Sequence, residues 1–587
     1  MKASGIVVFC VSGVLVALAT ACFAEATEYA NLANLSGTDH LGRALVTERE
    51  TGPVRPKREV GLFYYLWHGH HGTQGPYDIS KMEAADPQVM EKPDSPLWPD
   101  PKHAPMLHWG EPLFGYYLST DEWVLRRHVQ MFIDAGIDVL YFDTTNGYHF
   151  RRETEKLFAL LEEYRRKGFK VPKFCYYMAP KRRGSGTSNV RDVWDNYYSQ
   201  GRYRELWYEW DGKPLIITYP DRPYPQEILD FFTFRRPTWD QPSRPDTWYW
   251  GCGQTQNVAC ASNGRREQVV VSVATPNNPK GVPKGAFGTG CSEAYFGRVT
   301  QSRSFSYRTM SVDHSPGAVE RGIQFQEQID WALDSARDDV PVAFICQWNE
   351  WLVPFLTRET NDMYKSPRWI VLMDEYNIEN SRDIEPMKGG YRDAYYFQMM
   401  NFVRRWKGLP APAKAKGVCD LSAAGAWDLV SPVYREMTGD SAPRDWPGYD
   451  ACGRYVNRTC RNEFKTLQVA VGTDGRIHFR AETVKPLVGC GEGDDRWMEL
   501  LVKVPNRKTD ALGYTHRVHG RPDRAAEREV VRSIALADIG LSAERPFELE
   551  FKWSDNRQSE DPMDFYVNGD AAPRGRVNWR FVYSGNR

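Results

Sequence analysis

The chain reads as an α/β protein, a (β/α)8 TIM barrel followed by a C-terminal β-sandwich, and three observations predict this. Its 587 residues exceed the roughly 250–300 at which a single core stops growing, so two or more domains are expected. From Val60 to Lys407, apolar runs alternate with amphipathic helical stretches. Beyond the linker Pro410-Ala-Pro-Ala-Lys-Ala-Lys, the pattern changes to short alternating strands without a long helix. Apolar strands alternating with helices imply a parallel sheet covered on both faces, and about eight such units in some 350 residues favour a closed barrel over an open sheet.

In order, the predicted barrel strands are Val60–Tyr65, Val139–Phe142, Lys173–Tyr177, Leu215–Tyr219, Val269–Ala274 and Val342–Gln347. The intervening helices are Asp121–Ala135, capped by Thr120 or Asp121, then Glu153–Lys167, Ala318–Asp334 and Ala394–Lys407. Shorter helical pieces fall at Asp192–Tyr198 and Tyr203–Glu209. The sandwich strands are Leu467–Val471, Arg476–Ala481, Trp497–Lys503, Phe547–Trp553 and Asp564–Val567. The expected organisation is a signal peptide (1–24), an N-terminal extension (25–57), the barrel (58–409), a linker (410–417) and the sandwich (418–587).

Lys2, the apolar run from Ile6 to about Ala21 and small residues at Ala21, Ala24 and Ala26 form a secretory signal, so a secreted or periplasmic protein is expected. A lipid anchor through Cys22 is the alternative, because Ala19-Thr-Ala-Cys22 loosely matches a lipoprotein box. No later segment is apolar enough to span a bilayer. A formal net charge of -1 gives no reason to expect a nucleic-acid partner. Export permits disulfides: Cys252 could pair with Cys260, and Cys419, Cys452, Cys460 and Cys490 could make two bridges, while Cys175 and Cys346 sit in apolar runs as buried thiols. No GxGxxG, GxxxxGK[ST], CxxC or HExxH pattern points to a nucleotide or zinc, and no cofactor is expected beyond a candidate structural Ca²⁺ on Asp440, Asp445 and Asp450.

Barrel enzymes place their chemistry at strand C-terminal ends. The sharpest such end is Phe344-Ile-Cys-Gln-Trp-Asn-Glu-Trp351, where Glu350 stands beside an amide and between two rings. Glycosidic cleavage needs two carboxyl groups, and the candidates for Glu350's partner are Asp143, ending Asp138-Val-Leu-Tyr-Phe-Asp143, Glu111 in His108-Trp-Gly-Glu-Pro112, and Glu293 in a Gly-rich loop. Asp374, Glu375 and Ser381-Arg-Asp-Ile-Glu-Pro386 read as ion pairs fixing a long loop. Candidate sugar-binding groups are Tyr65, Trp67, His68, His108, Trp109, Asn146, Tyr177, Tyr219, Trp348, Asn349 and Trp351, since flat rings with polar edges suit sugar faces. Core packing competes with this for each ring, and the aromatic content of 13% fits either. His68-Gly-His70-His71 lacks a carboxylate at ligand spacing and is not taken as a metal site.

Trp348-Asn-Glu-Trp351 resembles the Asn-Glu-Trp motif of glycoside hydrolase family 99-like barrels, which include endo-α-mannosidases. Val60–His68, Phe114–Asp121 and Ser381–Pro386 are similar as well, so the likeness spans roughly 58–407. In that family a second catalytic glutamate follows the first by three residues; here the position is Val353. The tail resembles carbohydrate-binding family 9-like sandwiches, with Trp497, Trp553 and Trp579 as candidate sugar platforms. Motif and resemblance together imply a secreted glycoside hydrolase acting on a polysaccharide or complex glycan. The Val353 departure leaves a non-catalytic glycan-binding protein on a degenerate barrel as the alternative. A transferase or uronate lyase would instead need basic, Tyr and His groups to dominate the cleft.

Overall fold

The computed structural model describes residues 32–92, 94–100, 106–178, 188–238, 244–251, 258–274, 301–336, 339–357, 370–372, 375–489 and 497–585. Eight parallel strands carry the barrel: β1 (Glu59–Tyr64), β2 (Val139–Asp143), β3 (Lys173–Tyr177), β4 (Lys213–Ile217), β5 (Thr233–Thr238), β6 (Thr247–Tyr249), β7 (Arg266–Ser272) and β8 (Val342–Cys346). They pair in the order β6-β5-β4-β3-β2-β1-β8-β7. Between β6 and β7 the sheet is closed without a parallel ladder. Ala259–Cys260 runs antiparallel to β7, Asp246 N donates to Cys260 O at 2.9 Å, and Tyr249 N donates to Gln268 Oε1 at 3.0 Å.

Strands β5 and β6 were not evident in the sequence, because Arg235, Arg236 and Pro237 interrupt any apolar run. Arg235 is tolerated there because Glu267, at the start of β7, pairs with it at 2.6 Å. The described helices between strands include α1 (Glu122–Ala135), α2 (Arg151–Arg166), α3 (Ile323–Ala336) and, after β8, α4 (Ala394–Lys407). In α1, Asp121 caps the first turn through Trp123 N and Val124 N, and Gly136 closes the last in a left-handed conformation. The helix expected over Ala318–Asp334 is broken at Gly322 (φ +60), which separates the short turn Ala318–Arg321 from α3.

The two-residue period of the strands sorts side chains between barrel interior and helices. On β1, Phe63 meets Tyr177 (5.3 Å) and Phe344 (5.6 Å) inside the barrel, whereas Tyr64 packs on Phe132 of α1 (5.6 Å). Tyr141 fills the interior beside Phe344, which is why β1 carries Gly61: a Cβ there would lie 2.0 Å from the Tyr141 ring. The same parity turns Asp143 inward at the C-terminal mouth.

The C-terminal region contains β9 (Phe464–Val471), β10 (Arg476–Thr483), β11 (Glu499–Lys503), β12 (Glu529–Ala535), β13 (Phe547–Ser554) and β14 (Val577–Tyr583). β9, β10 and β12 lie in one antiparallel sheet, and β11, β13 and β14 in a second. Rings from the two meet at Phe479–Phe551 (5.6 Å) and Phe464–Trp553 (6.4 Å). Pro562–Tyr566 is a 3-10 turn capped by Asp561, not the strand expected at Asp564–Val567. Trp553 and Trp579 are buried, as is Trp497, whose Nε1 donates to Val488 O at 2.7 Å.

The N-terminal segment Leu35–Gly37 adds an edge to β14, and Arg404 of α4 donates to Leu35 O at 2.9 Å. A buried bridge also ties barrel to tail: Asp440 accepts from Gln130 of α1 (2.9 Å) and pairs with Arg574 (2.7 Å). Asp445 is paired with Arg454 at 2.7 Å. Asp440 and Asp445, two of the three carboxylates considered for Ca²⁺, are thus committed to these partners, and among the described residues no group of three or more His, Cys, Asp or Glu is placed to hold a metal. Cys260, Cys419, Cys452 and Cys460 are free thiols, as are the buried Cys175 and Cys346; Cys252 and Cys490 lie outside the described residues, as does the expected signal segment. No described helix is long and apolar enough to cross a membrane.

Removing Asp440 would leave the buried Arg574 with Asp570, at 2.8 Å, as its remaining partner and deprive Gln130 of an acceptor. Asp440→Ala should therefore lower the unfolding free energy by about 1–3 kcal/mol, measured by chemical denaturation, with barrel and tail signals shifting together.

Candidate active site at the barrel mouth

Six barrel strands contribute residues at the mouth. β8 runs into Gln347–Trp351, and Glu350, 5% exposed, enters an ion pair: Arg382 Nη2 donates to its Oε2 at 2.6 Å. Gln347 Nε2 donates to the same oxygen and, at 2.7 Å, to Glu375 Oε1, while Tyr65 OH at the end of β1 donates to Gln347 Oε1 at 2.7 Å. Glu350 N donates to Asp383 Oδ1, and Asp383 Oδ2 accepts from Trp109 Nε1 at 2.8 Å. Glu350 is thus held through side chain and backbone at once.

The surrounding charges are buried and unequal in number. Glu375, Arg382 and Asp383 are fully buried. Burial pushes the Glu375 carboxyl well above the usual range, Asp383 and Glu350 add to this, and Arg382 opposes it. Burial also raises Asp383, against hydrogen bonds that favour its anion. Burial and the neighbouring carboxylates thus favour the protonated form of Glu375, while Arg382 favours its anion.

Asp143, at the end of β2, accepts from Thr145 N at 3.0 Å and so also organises its own turn. The Tyr65 phenol is pushed up by burial first, then by the nearby charges of Glu350 and Asp143. Tyr177 is raised likewise, by burial and then by Tyr219 and Asp143. Glu350, Asp143, Tyr65, Tyr177, Tyr219 and Gln347 are accordingly brought together around the mouth. Trp250, at the end of β6, joins them: its half-buried ring lies 5.7 Å from Phe63, with the Arg382 guanidinium 5.8 Å from its centroid.

Asn349 has a bracing role. Its side chain bonds both Tyr65 N (2.9 Å) and Tyr65 O (3.1 Å), and its backbone carbonyl contacts His68 Nε2 at 2.9 Å. Burial lowers His68 to about 4, so the ring is neutral near pH 7 and donates through Nε2.

Other candidates are placed differently. Trp109 and Trp351 stack on each other at 4.5 Å, are fully buried, and anchor Asp383 and Glu385 through their indole N–H groups. Trp348 is enclosed by Phe132, His128 and Tyr396. These rings hold the loop rather than present faces to a cleft, which corrects the expectation of sugar stacking at Trp109, Trp348 and Trp351. His108 is buried between Tyr116 and Tyr449. Glu111 is flanked by Lys81 (2.7 Å) and Lys388; burial raises its carboxyl, but the two lysines outweigh this and leave it lowered. Glu293 lies outside the described residues. Asn146 is exposed on the loop after β2, and Trp67 is buried against Tyr65 at 5.4 Å.

The sequence reading missed Gln347, Arg382 and Trp250 as site residues and took Glu375 and Asp383 only as loop ion pairs. A polar Gln directly after an apolar strand was the available signal for Gln347. The cluster around Arg382 depends on a loop returning from residue 375 to 385, which no local pattern encodes.

No protein-family model matches this chain, and neither does any curated protein. Among solved structures, two of the endo-alpha-mannosidase GH99 from Bacteroides thetaiotaomicron are similar, at 15% and 16% identity and TM-scores of 0.33 and 0.31; each comparison covers 59% of this chain and 97% of the other. Bacteroides uniformis beta-glucuronidase 3 is similar at 10% identity and TM-score 0.24, over 79% of this chain and 60% of that one. Likenesses this distant carry no argument about chemistry.

His68 supplies a pH test. Its folded value, about 4, lies below the ordinary 6.5. Between these values the unfolded chain binds the extra proton, so the contribution is full above about pH 6.5 and is lost as pH falls toward 4. In urea titrations the wild type should lose roughly 3 kcal/mol more than His68→Asn over that interval.

Proposed function

We propose that this protein is a glycoside hydrolase whose barrel mouth cleaves glycosidic bonds in a polysaccharide or complex glycan, with Glu350 and Asp143 as the reacting carboxyl groups. The observation that carries this is the Glu350–Arg382 ion pair just beyond the C-terminal end of β8, with Asp143, turned inward, ending strand β2. A carboxylate tied to a guanidinium is a poor proton donor, so Glu350 is the anionic member, serving as base, nucleophile or stabiliser of positive charge at the sugar carbon. Asp143 then exchanges the leaving-group proton. Trp250 and Tyr219, both partly exposed, supply ring surface for the sugar. The resemblance of Trp348-Asn-Glu-Trp351 to family 99-like barrels supports the reading. The tail would be a β-sandwich that braces the barrel or holds glycan, and export would place the enzyme with its polymer.

Val353 favours a second reading. It is fully buried in Leu352–Thr357, paired with Leu107 of Met106–His108, so the motif offers no second carboxylate there. A barrel that binds glycan without cleaving it would follow if Asp143 only caps its turn.

Reducing-sugar release from a polysaccharide panel separates the two. Hydrolysis predicts release by the wild type, reduced by about 10²–10⁴-fold in Glu350→Gln and in Asp143→Asn. Glycan binding without release, unaltered in Glu350→Gln, would establish the second reading.

A further inference from the structure

The loop after β1 and the loop after β2 together build a line of rings that starts at the site and ends in solvent. Tyr65, bonded to Gln347, faces Trp67 at 5.4 Å; Trp67 meets His71 at 5.9 Å, and His71 meets Tyr148 at 6.2 Å. His70 lies beside this line, 4.6 Å from Tyr148 and 4.9 Å from Phe150. Burial falls along it: Tyr65 and Trp67 are buried, His71 is half-buried, and His70 and Tyr148 are exposed, Tyr148 at 47%. A core cluster would bury its largest rings; this one presents a tyrosine face at the rim. The buried Trp67 Nε1, only 3% of whose residue surface is exposed, has no hydrogen-bond partner among the described residues. A buried indole N–H without a protein acceptor is open to a water or a ligand oxygen.

The line is held in place from the tail. Tyr449 OH accepts from Gly69 N at 3.1 Å, Asp450 N donates to Thr73 O at 2.8 Å, and Ala451 N donates to Gly75 O at 2.9 Å. Gly69, at φ +84, makes the turn that brings His70 and His71 outward, and a Cβ there would meet Leu118 at 2.8 Å. A platform ordered before binding loses less freedom on binding.

We infer that Trp67, His71, His70 and Tyr148 form an outer subsite for an uncharged pyranose unit of the glycan, one or more residues away from the bond cleaved at Glu350. The exposed Tyr148 ring takes the C–H face of the sugar, and the imidazole nitrogens take its hydroxyls, with Trp67 packed behind them. Burial, then the neighbouring His70, lowers His71, which suits a neutral partner rather than an anion. The subsite rests on the hydrolase reading and assigns it a chain-length preference.

Calorimetric binding of linear glucose, mannose, galactose and N-acetylglucosamine oligosaccharides, two to six units long, tests this with the full-length wild type, Tyr148→Ala and Tyr148→Phe. The subsite predicts that Tyr148→Ala weakens binding of the longest members roughly tenfold, leaves the disaccharide unchanged, and is rescued by Tyr148→Phe. Binding by the wild type that is the same in Tyr148→Ala at every length, or weakened equally at two units and at six, would overturn the outer subsite and leave the hydrolase reading standing. Failure of the wild type to bind any member would overturn both.

Discussion

The arrangement of the site depends on one guanidinium buried among carboxyl groups. Arg382 is fully enclosed and reaches Glu350 at 2.6 Å, with Glu375 and Asp383 close by. Desolvating so many ionisable groups is costly, and the cost is offset by the Arg382–Glu350 pair and by hydrogen bonds from Gln347 to Glu375 and from Trp109 and the Glu350 backbone to Asp383. This is weak evidence for stability but strong evidence for placement. A buried charge with one good partner has one good position, and Glu350 inherits that position from Arg382.

The rest of the molecule supplies the frame. The strand period turns Tyr65 and Asp143 toward the mouth, and Tyr65 links them to β8 through Gln347. Outside the barrel, Glu385 accepts from Tyr117 OH (2.8 Å) and Trp351 Nε1 (2.6 Å) and contacts His128 Nε2 (2.8 Å), which pins the far end of the Arg382 loop. The tail reaches the same region: Arg444 bonds Asp121 at 2.8 Å, and Tyr455 OH accepts from Tyr116 N at 2.9 Å. Barrel loops and C-terminal sheets thus brace the same end of the barrel as the candidate site.

Much of this frame was legible in the sequence, for physical reasons. Buried parallel strands must be apolar throughout, so β1, β2, β3, β4, β7 and β8 declared themselves; α1 and α4 did so through their periodicity, and the Asp121 cap through its chemistry. β5 stayed hidden because its charge is neutralised by Glu267, a residue distant in sequence. At the site, Glu350 and Asp143 were legible as polar residues ending apolar strands. The roles of Trp109, Trp348 and Trp351 were not, since a tryptophan that stacks on sugar and one that anchors a loop look alike until their neighbours are known. Arg382, Glu375 and Asp383 could be read as ion pairs, but only the returning loop shows that their partner is Glu350.

The most direct test of this account is a double-mutant cycle between Arg382 and Glu350, using Arg382→Met, Glu350→Gln and the double variant, read as unfolding free energy. A direct buried ion pair predicts that the double variant is less destabilised than the sum of the singles, with a coupling of about 1–3 kcal/mol. Effects that add to within about 0.5 kcal/mol would mean the two side chains do not depend on each other, and the placement of Glu350 would need another explanation.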